Sequence, residues 1–312
     1  MLDLGSFYRL AHRLAPPAVQ VRLRSRRPPG ISDFRLALPG GEQLLFHGLV
    51  QAEFLRRLFW LGFDGAYPDF TGIFQTLSKH ARSVIDLGSY LGYYALIAAR
   101  MNPSAQVFSI EPLPDSVSYQ SQLFKMNGVD NVTLCPVGVA KTSGTVPFFV
   151  PDRSLSRIPN IGSLTNRFGP GTFYEDRGSD TLEIAVLSLP DLMEKFKIGR
   201  IDLIKFFIEE METEVFEAAE PVLRQHKPDL LGWIFYREDS VDRLGSLLAD
   251  IGYQFFVFKG SRLVKCSPLA SARQRGEVFN PDKGGRSAIL ATADPETTLG
   301  RMRADHPNIL GS

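Results

Sequence analysis

Short apolar runs alternate with amphipathic segments along most of the chain. The runs are rich in β-branched and aromatic residues and predict buried strands; they include SVIDLG (83–88), AQVFSIEP (105–112), IDLIKFFI (201–208) and DLLGWIFY (229–236). Segments such as GYYALIAARM (92–101) lie between the runs, and their apolar residues have helical spacing. Because strand and helix alternate in this way, the pattern predicts a doubly wound α/β domain with a mostly parallel sheet.

The first 66 residues follow a different pattern and are predicted to form an N-terminal extension. Residues 1–31 are typical of a short helix and a Pro/Arg-rich linker. The runs FRLAL and EQLLF flank Pro-Gly-Gly as in a β-hairpin, and AEFLRRLFWLGF has helical spacing. We place the main domain at 67–300 and a C-terminal tail at 301–312.

One long segment of the main domain, residues 152–181, shows no period. It is rich in Ser, Gly, Pro, Asn and Arg, and long loops of this kind in compact domains are usually functional or disordered. We expect a lid over a substrate, with Arg153, Arg157 and Arg167 available to an anionic or sugar substrate. A loop without a role in binding is the alternative.

Composition and charge narrow the class of protein. Of the 312 residues, 44% are hydrophobic and 22% are charged, as in ordinary globular proteins. The net charge of +1 gives no reason to expect a nucleic-acid partner. No apolar run has the length of a membrane-spanning helix, and two distant cysteines favour a reducing cytoplasm. Oligomeric state stays open.

The charge is uneven near the N-terminus. No acidic residue lies between Asp3 and Asp33, whereas arginines are frequent from residue 9 to residue 27. This pattern predicts a solvated basic arm, or else a surface that contacts a membrane or a protein.

The most specific motif is Asp86-Leu87-Gly88-Ser89-Tyr90-Leu91-Gly92, which ends the first strand of the main domain and begins a helix. Glycines at 88 and 92 permit a tight turn and close approach of a ligand to the helix N-terminus. Glu111 ends the next strand, where a carboxylate can accept hydrogen bonds from both hydroxyls of a ribose.

The spacing distinguishes between nucleotide ligands. A dinucleotide fingerprint has glycine two positions after the first glycine, where this chain has Tyr90, and a Walker A loop is absent from the sequence. D-x-G-x-x-x-G with a downstream Glu suits S-adenosylmethionine, which has no pyrophosphate. A nucleotide-dependent oxidoreductase is the disfavoured alternative.

Three segments together resemble a known family. SVIDLGSYLGYYALIAAR, VFSIEPLPDSVSYQSQLFKMNGVDNVTLCPVGVA and LPDLMEKFKIGRIDLIKFFIEEMETEV are similar, in that order, to the characteristic blocks of the FkbM-type methyltransferases, and the resemblance covers roughly residues 65–300. It implies a seven-stranded Rossmann-like class I fold that uses S-adenosylmethionine, commonly as an O-methyltransferase on sugars or other small hydroxylated molecules.

The resemblance also implies roles for individual residues. The residues that correspond to the cofactor pocket are Asp86, Gly88, Gly92, Glu111, Asn131 and Gly138, and we expect their neighbours Ser89, Tyr90 and Pro112 to contact the cofactor as well. Within them, Asn131 and Gly138 correspond to the adenine edge. Lys205, Glu209 and Glu212 correspond to the Lys and the two Glu of the last block, so Lys205, Glu209 and Phe207 are the candidates for the catalytic part of the site.

Phe207 departs from the family pattern, which usually has Asp at this position. A phenylalanine can stack against a substrate or exclude water, but it can neither remove a proton nor bind a metal, and we expect no metal site. A register shifted by one residue would instead turn Phe206 and Ile208 toward the cofactor. Two interpretations stay open: an altered but active site that uses another base, and a catalytically silent relative that binds the cofactor or a partner.

Overall fold

The computed structural model describes the main body of the chain. The described residues are 4–24, 28–48, 52–151, 158, 162–164, 179–208, 210–235, 240–260, 262–266 and 286–309.

Strands and helices alternate through the main domain, as the sequence predicts. The strands are β1 (Phe34–Ala37), β2 (Gln43–Phe46), β3 (Ser83–Leu87), β4 (Gln106–Ile110), β5 (Val132–Cys135), β6 (Gly138–Val139), β7 (Gly144–Pro151), β8 (Ser179–Leu187), β9 (Leu203–Phe206), β10 (Asp229–Phe235), β11 (Gln254–Lys259), β12 (Arg262–Cys266) and β13 (Arg286–Thr292). The helices are α1 (Leu4–Leu14), α2 (Pro17–Arg24), α3 (Glu53–Leu61), α4 (Pro68–His80), α5 (Tyr93–Met101), α6 (Pro114–Met126), α7 (Leu189–Phe196), α8 (Glu212–Ala218), α9 (Glu220–His226), α10 (Ser240–Ile251) and α11 (Pro295–Asp305), with a 3-10 helix at Gly62–Ala66.

The main sheet has eight strands in the order β12-β11-β13-β10-β9-β3-β4-β5. Strands β10, β9, β3, β4 and β5 run parallel, and β13 is antiparallel to both of its neighbours. Seven of these strands form the Rossmann-like sheet that the resemblance implies, so the fold class is confirmed. The eighth, β12, pairs antiparallel with β11 and adds an edge strand.

Proline divides two segments that the sequence pattern shows as continuous. The apolar pattern of NVTLCPVGVA (131–140) is typical of one strand, but β5 ends at Cys135, and β6 pairs instead with β8 in a second, three-stranded sheet. Pro136 has no N–H to donate to the sheet, so the pairing stops there. The helical pattern of the sequence after β9 is likewise divided into α8 and α9, because Pro221 cannot continue the hydrogen bonding of α8.

Residues 17–24, part of the predicted N-terminal linker, form helix α2, so the prediction was wrong for this stretch. Pro17 occupies the first helical position, where its missing N–H costs nothing and its fixed φ suits a helix. The Val19 and Gln20 amides both donate to the Pro16 carbonyl, at 2.9 and 3.0 Å.

The N-terminal extension packs directly on the main domain. Phe34, Phe46 and Phe59 belong to the same buried cluster as Tyr93 and Leu96 of α5. The division at residue 66 stays a prediction, as does the tail at 301–312, which begins inside helix α11. In the part of the chain that the structure describes, no helix combines the length and the apolar character needed to cross a membrane.

The parallel strands bring the candidate residues to one edge of the sheet. Leu87 pairs with Ile110 and with Phe206, so β3, β4 and β9 end side by side. Gly88, Glu111 and Phe207 follow these ends directly, which is where open α/β sheets bind ligands.

Candidate functional site

The turn after β3 requires glycine at position 88. Gly88 has φ +70°, and an added Cβ would lie 2.1 Å from the carbonyl oxygen of Phe207. The amides of Gly88 and Ser89 both donate to the carbonyl of Ile110, at 3.1 and 3.0 Å. The turn is therefore fixed to the ends of both neighbouring strands.

A buried ion pair between β3 and β9 supports this turn. Asp86 and Lys205 are register partners on β3 and β9, and Lys205 Nζ lies 2.9 Å from Asp86 Oδ1. Lys205 also donates to the Gly88 carbonyl at 3.0 Å, while Asp86 Oδ2 accepts the Ala95 amide of α5 at 3.1 Å. Burial raises the pKa of Asp86, and Lys205 opposes that rise. Both residues are buried, so they hold the turn and the start of α5 in place.

Glu111 presents an oriented carboxylate at the end of β4. Its Oε2 accepts the Tyr90 amide at 2.9 Å and its Oε1 accepts the Leu113 amide at 3.0 Å. Burial raises the pKa of Glu111 to about 7, although the two amides favour the ionised form. Each carboxylate oxygen keeps a further lone pair for a hydroxyl donor.

A first cavity, which we call the cofactor cavity, extends along this edge of the sheet. It has a volume of about 810 Å³ including space open to solvent, and Gly88, Glu111, Pro112 and Phe207 line it. Its far end lies at the second sheet and is lined by Val137, Gly138, Val139, Phe148 and Ile184. Apolar walls and one oriented carboxylate suit a nucleoside, with its flat base among apolar groups and its ribose at Glu111.

Gly138, a predicted adenine-edge residue, is at this far end. A Cβ there would lie 3.1 Å from Val186 Cγ1 and 3.2 Å from Ile184 Cδ1, so β6 packs closely on β8. Gly162, Ser163 and Leu164 also line the cofactor cavity, which brings part of the predicted lid to it.

A second cavity lies on the other side of Gly88 and Phe207; we call it the aromatic cavity. Its volume is about 760 Å³ including open space, and three of its lining residues, Gly88, Tyr90 and Phe207, also line the cofactor cavity. Its aromatic lining residues are Phe54, Tyr67, Tyr90, Tyr93, Tyr94, Phe207 and Trp233. Arg57, Glu53 and Lys205 add charged groups. The shared residues place Phe207 between the two cavities.

The register question at β9 has a definite answer in the structure. Phe206 is buried and packs edge-on against Phe216 at a centroid distance of 5.1 Å. Phe207 lies at the site, with its ring centroid 6.3 Å from that of Trp233 and 5.9 Å from Lys205 Nζ. The alternative is therefore wrong for Phe206, whereas Ile208 lines the cofactor cavity together with Phe207. A phenylalanine thus occupies the position where the family usually has an acid.

Three predicted cofactor residues make contacts within the protein and do not line the cofactor cavity. Asn131 precedes β5, at the opposite edge of the sheet, and its side-chain amide donates to the Ala105 carbonyl at 3.0 Å; assigning it to the adenine edge was wrong. Gly92 accommodates Phe124, whose Cζ would lie 2.8 Å from an added Cβ. Ser89 accepts a hydrogen bond from Gln120 Nε2 at 2.9 Å.

Other predicted residues lie outside the described part of the chain. These are Glu209, Arg153, Arg157 and Arg167. Glu212 is described and buried, and its Oε1 accepts the Glu210 amide at 3.2 Å. Within the described residues, no three His, Cys, Asp or Glu side chains come together as a metal site.

Sequence reasoning missed most of the aromatic cavity. Phe54 and Arg57 come from α3 of the N-terminal extension, and Trp233 comes from β10. The one available signal was the i, i+3 spacing of Phe54 and Arg57, which places them on one side of α3.

A family model matches the central part of the chain, and a known protein matches a shorter part of it. Residues 86–255 match the family model described as Methyltransferase FkbM domain. A Mycobacterium tuberculosis protein described as "Probable O-methyltransferase Rv1703c" is 38% identical over 98 residues, covering 27% of this chain and 42% of that protein.

Two of the solved structures that are similar to this chain illustrate the range of coverage. Methyltransferase FkbM from Methylobacillus flagellatus KT is 14% identical with a TM-score of 0.44, covering 79% of this chain and 56% of that chain. TYW2 of M. jannaschii in complex with AdoMet is 11% identical with a TM-score of 0.42, covering 85% of this chain and 86% of that chain. The chain thus spans about half the length of the Mycobacterium and Methylobacillus relatives.

Proposed function

The chain belongs to the FkbM methyltransferase family, and on that premise we propose that it transfers the methyl group of S-adenosylmethionine to a hydroxyl of a small acceptor. The observation that carries the proposal is Glu111, a buried carboxylate held by two backbone amides in the lining of the cofactor cavity. When bound, S-adenosylmethionine supplies an electrophilic methyl group on a sulfonium.

The cofactor cavity would hold this molecule through groups that the structure brings together. Glu111 would accept the ribose hydroxyls, and the apolar surfaces of Val139 and Ile184 would cover the base. Gly88 lines the cavity at the turn after β3, where its backbone would face the amino-acid end of the ligand. Tyr90 stands where a dinucleotide fingerprint has glycine, and this favours S-adenosylmethionine, which has no pyrophosphate, over a dinucleotide.

The aromatic cavity is the place we propose for the acceptor. It shares Phe207 and the Gly88 turn with the cofactor cavity, so a hydroxyl there would lie next to the methyl donor. Aromatic rings offer flat apolar faces against which the ring of a sugar or of another hydroxylated small molecule can pack. Methyl transfer depends strongly on such positioning.

We place the reaction in the reducing cytoplasm, consistent with the buried free thiols of Cys135 and Cys266.

Phe207 is the observation that favours the second candidate, a silent relative that binds the cofactor without transferring its methyl group. If the site is active, the ring lies between the two cavities and positions the acceptor. Phe207→Asp is then expected to lower turnover by roughly 10–100-fold through misplacement of the acceptor. The measurement is release of S-adenosylhomocysteine with a panel of sugars, phenols and alcohols. Phe207→Tyr is the matched control, since it keeps the ring. A gain in turnover in Phe207→Asp would instead favour the silent relative.

The cofactor assignment is tested by the pH dependence of binding. The pKa of Glu111 is about 7 in the protein, and only the ionised carboxylate can accept hydrogen bonds from both ribose hydroxyls. Affinity for S-adenosylmethionine is therefore expected to fall as the pH drops below 7, by roughly tenfold between pH 8 and pH 6. Titration calorimetry at several pH values measures this effect.

Two variants serve as controls for that titration. Glu111→Gln is expected to weaken binding by roughly 1–3 kcal/mol and to flatten the pH profile. Asn131→Ala, at the other edge of the sheet, is expected to leave both affinity and profile unchanged. Tight NAD binding without a response to S-adenosylmethionine would overturn the proposed function.

A further inference from the structure

Exposed apolar side chains concentrate on the two N-terminal helices. Phe7 is 56% exposed, Leu10 46%, Leu14 77% and Val19 42%. In the rest of the described chain, Met126 is the one other large apolar side chain in this exposed group. Exposed apolar side chains that cluster on one surface indicate a contact site more often than isolated ones do.

The exposed residues of α1 form a stripe on its outer side. Phe7, Leu10 and Leu14 are spaced by three and four residues, so they share one side of the helix. The other side is fastened to the protein, because the rings of His12 and Tyr8 lie 5.4 and 6.4 Å from that of Trp60 on α3. The helix is thus docked through one side and presents the opposite apolar side to solvent.

Positive charge accompanies this stripe. Arg13 and Arg22 are exposed on the same two helices, and the sequence has no acid between Asp3 and Asp33. Arg9 has a different role, since its guanidinium donates to the Arg35 carbonyl at 3.3 Å and lies over the Phe59 ring at 5.5 Å. The outer surface therefore combines apolar groups with exposed cations.

We propose that the outer surface of α1 and α2 docks on an anionic lipid bilayer. Aromatic and aliphatic side chains beside arginines suit the boundary between acyl chains and acidic headgroups. A second copy of the chain is a poorer occupant, because a symmetric contact would bring two sets of arginines together. This inference concerns where the protein works and does not depend on the proposed reaction.

Sedimentation of the full chain with vesicles tests the proposal. Binding is expected to vesicles that contain phosphatidylglycerol, to be at least tenfold weaker to pure phosphatidylcholine, and to weaken in ~0.5 M salt. Phe7→Ser/Leu14→Ser is expected to reduce partitioning at least tenfold, and Arg13→Glu at least about fivefold. Unchanged binding in these variants, or absence of binding to anionic vesicles, would overturn the proposal.

Two control variants show whether a loss of vesicle binding is specific to the outer surface of α1 and α2. Met126→Ser removes an exposed apolar group and Arg303→Glu reverses an exposed charge elsewhere, and both are expected to partition like the unaltered protein. Affinity for S-adenosylmethionine and the far-ultraviolet circular dichroism spectrum show whether each variant is folded. If vesicles fail to bind while light scattering shows a dimer that the Phe7/Leu14 variant abolishes, the surface binds protein and the proposal is wrong.

Discussion

Replacing Lys205 by methionine is expected to lower the free energy of unfolding by about 3–5 kcal/mol, because it leaves the buried carboxylate of Asp86 without its partner. Lys205 Nζ lies 2.9 Å from Asp86 Oδ1 and donates to the Gly88 carbonyl at 3.0 Å. The variant therefore loses an ion pair and one support of the turn together. Urea denaturation measures the stability loss, and calorimetry measures the expected loss of cofactor affinity.

An exposed ion pair provides the comparison. Lys79 Nζ lies 2.6 Å from Asp305 Oδ2, with side chains 45% and 34% exposed. Lys79→Met is expected to cost no more than about 1 kcal/mol, since water and salt screen such a pair. The double variant Asp86→Leu/Lys205→Met is expected to recover part of the loss, because it leaves no unpaired buried charge. Equal losses for Lys205→Met and Lys79→Met would contradict the supporting role of the buried pair.

Alanine at position 88 is expected to cost about 2–4 kcal/mol of stability and to abolish measurable cofactor binding. The left-handed backbone conformation accounts for about 1–2 kcal/mol of that loss. The remainder comes from the added Cβ, which would lie 2.1 Å from the Phe207 carbonyl oxygen and force the turn away from β9. Because Gly88 lines both cavities, this shift would change both.

Gly128 separates these two causes. It has φ +62°, close to the +70° of Gly88, but an added Cβ there would meet no atom within 4 Å. Gly128→Ala is therefore expected to lose only the part of the unfolding free energy that the left-handed backbone conformation costs, about 1–2 kcal/mol, and to bind S-adenosylmethionine normally. If Gly88→Ala lost no more than Gly128→Ala, the close approach to Phe207 would have no energetic consequence.

The centre of the site is predictable from the sequence because its signals are local. Asp86 and Gly88 lie on either side of a strand end, and Glu111 follows the end of the next strand. Parallel strands carry such residues to one edge of a sheet. The glycine motif, the strand pattern and the helix pattern therefore all indicate the same part of the molecule.

The parts that sequence reasoning missed depend on strand direction and on contacts between distant segments. Asn131 falls at the amino end of β5. The amino ends of the parallel strands lie at the edge of the sheet opposite the site, and the resemblance of Asn131 to a family position did not reveal this. Phe54 and Tyr90 are far apart in the sequence, yet their rings lie 6.4 Å apart in the structure. Nothing in the local pattern of α3 shows that it covers the end of β3.

Phe207 changes the chemistry expected of this site more than its shape. Lys205 supports the Gly88 turn next to Phe207, and the Phe207 ring lies between two cavities of similar volume. A phenylalanine supplies no proton acceptor, so in the proposed reaction Phe207 would contribute to the rate by positioning donor and acceptor.

A crystal structure with S-adenosylhomocysteine bound tests the central claim most directly. The ligand is expected in the cofactor cavity, with both ribose hydroxyls hydrogen-bonded to the Glu111 carboxylate and the sulfur directed past Phe207 toward the aromatic cavity. A ligand bound in the aromatic cavity alone, or a ribose out of reach of Glu111, would contradict it.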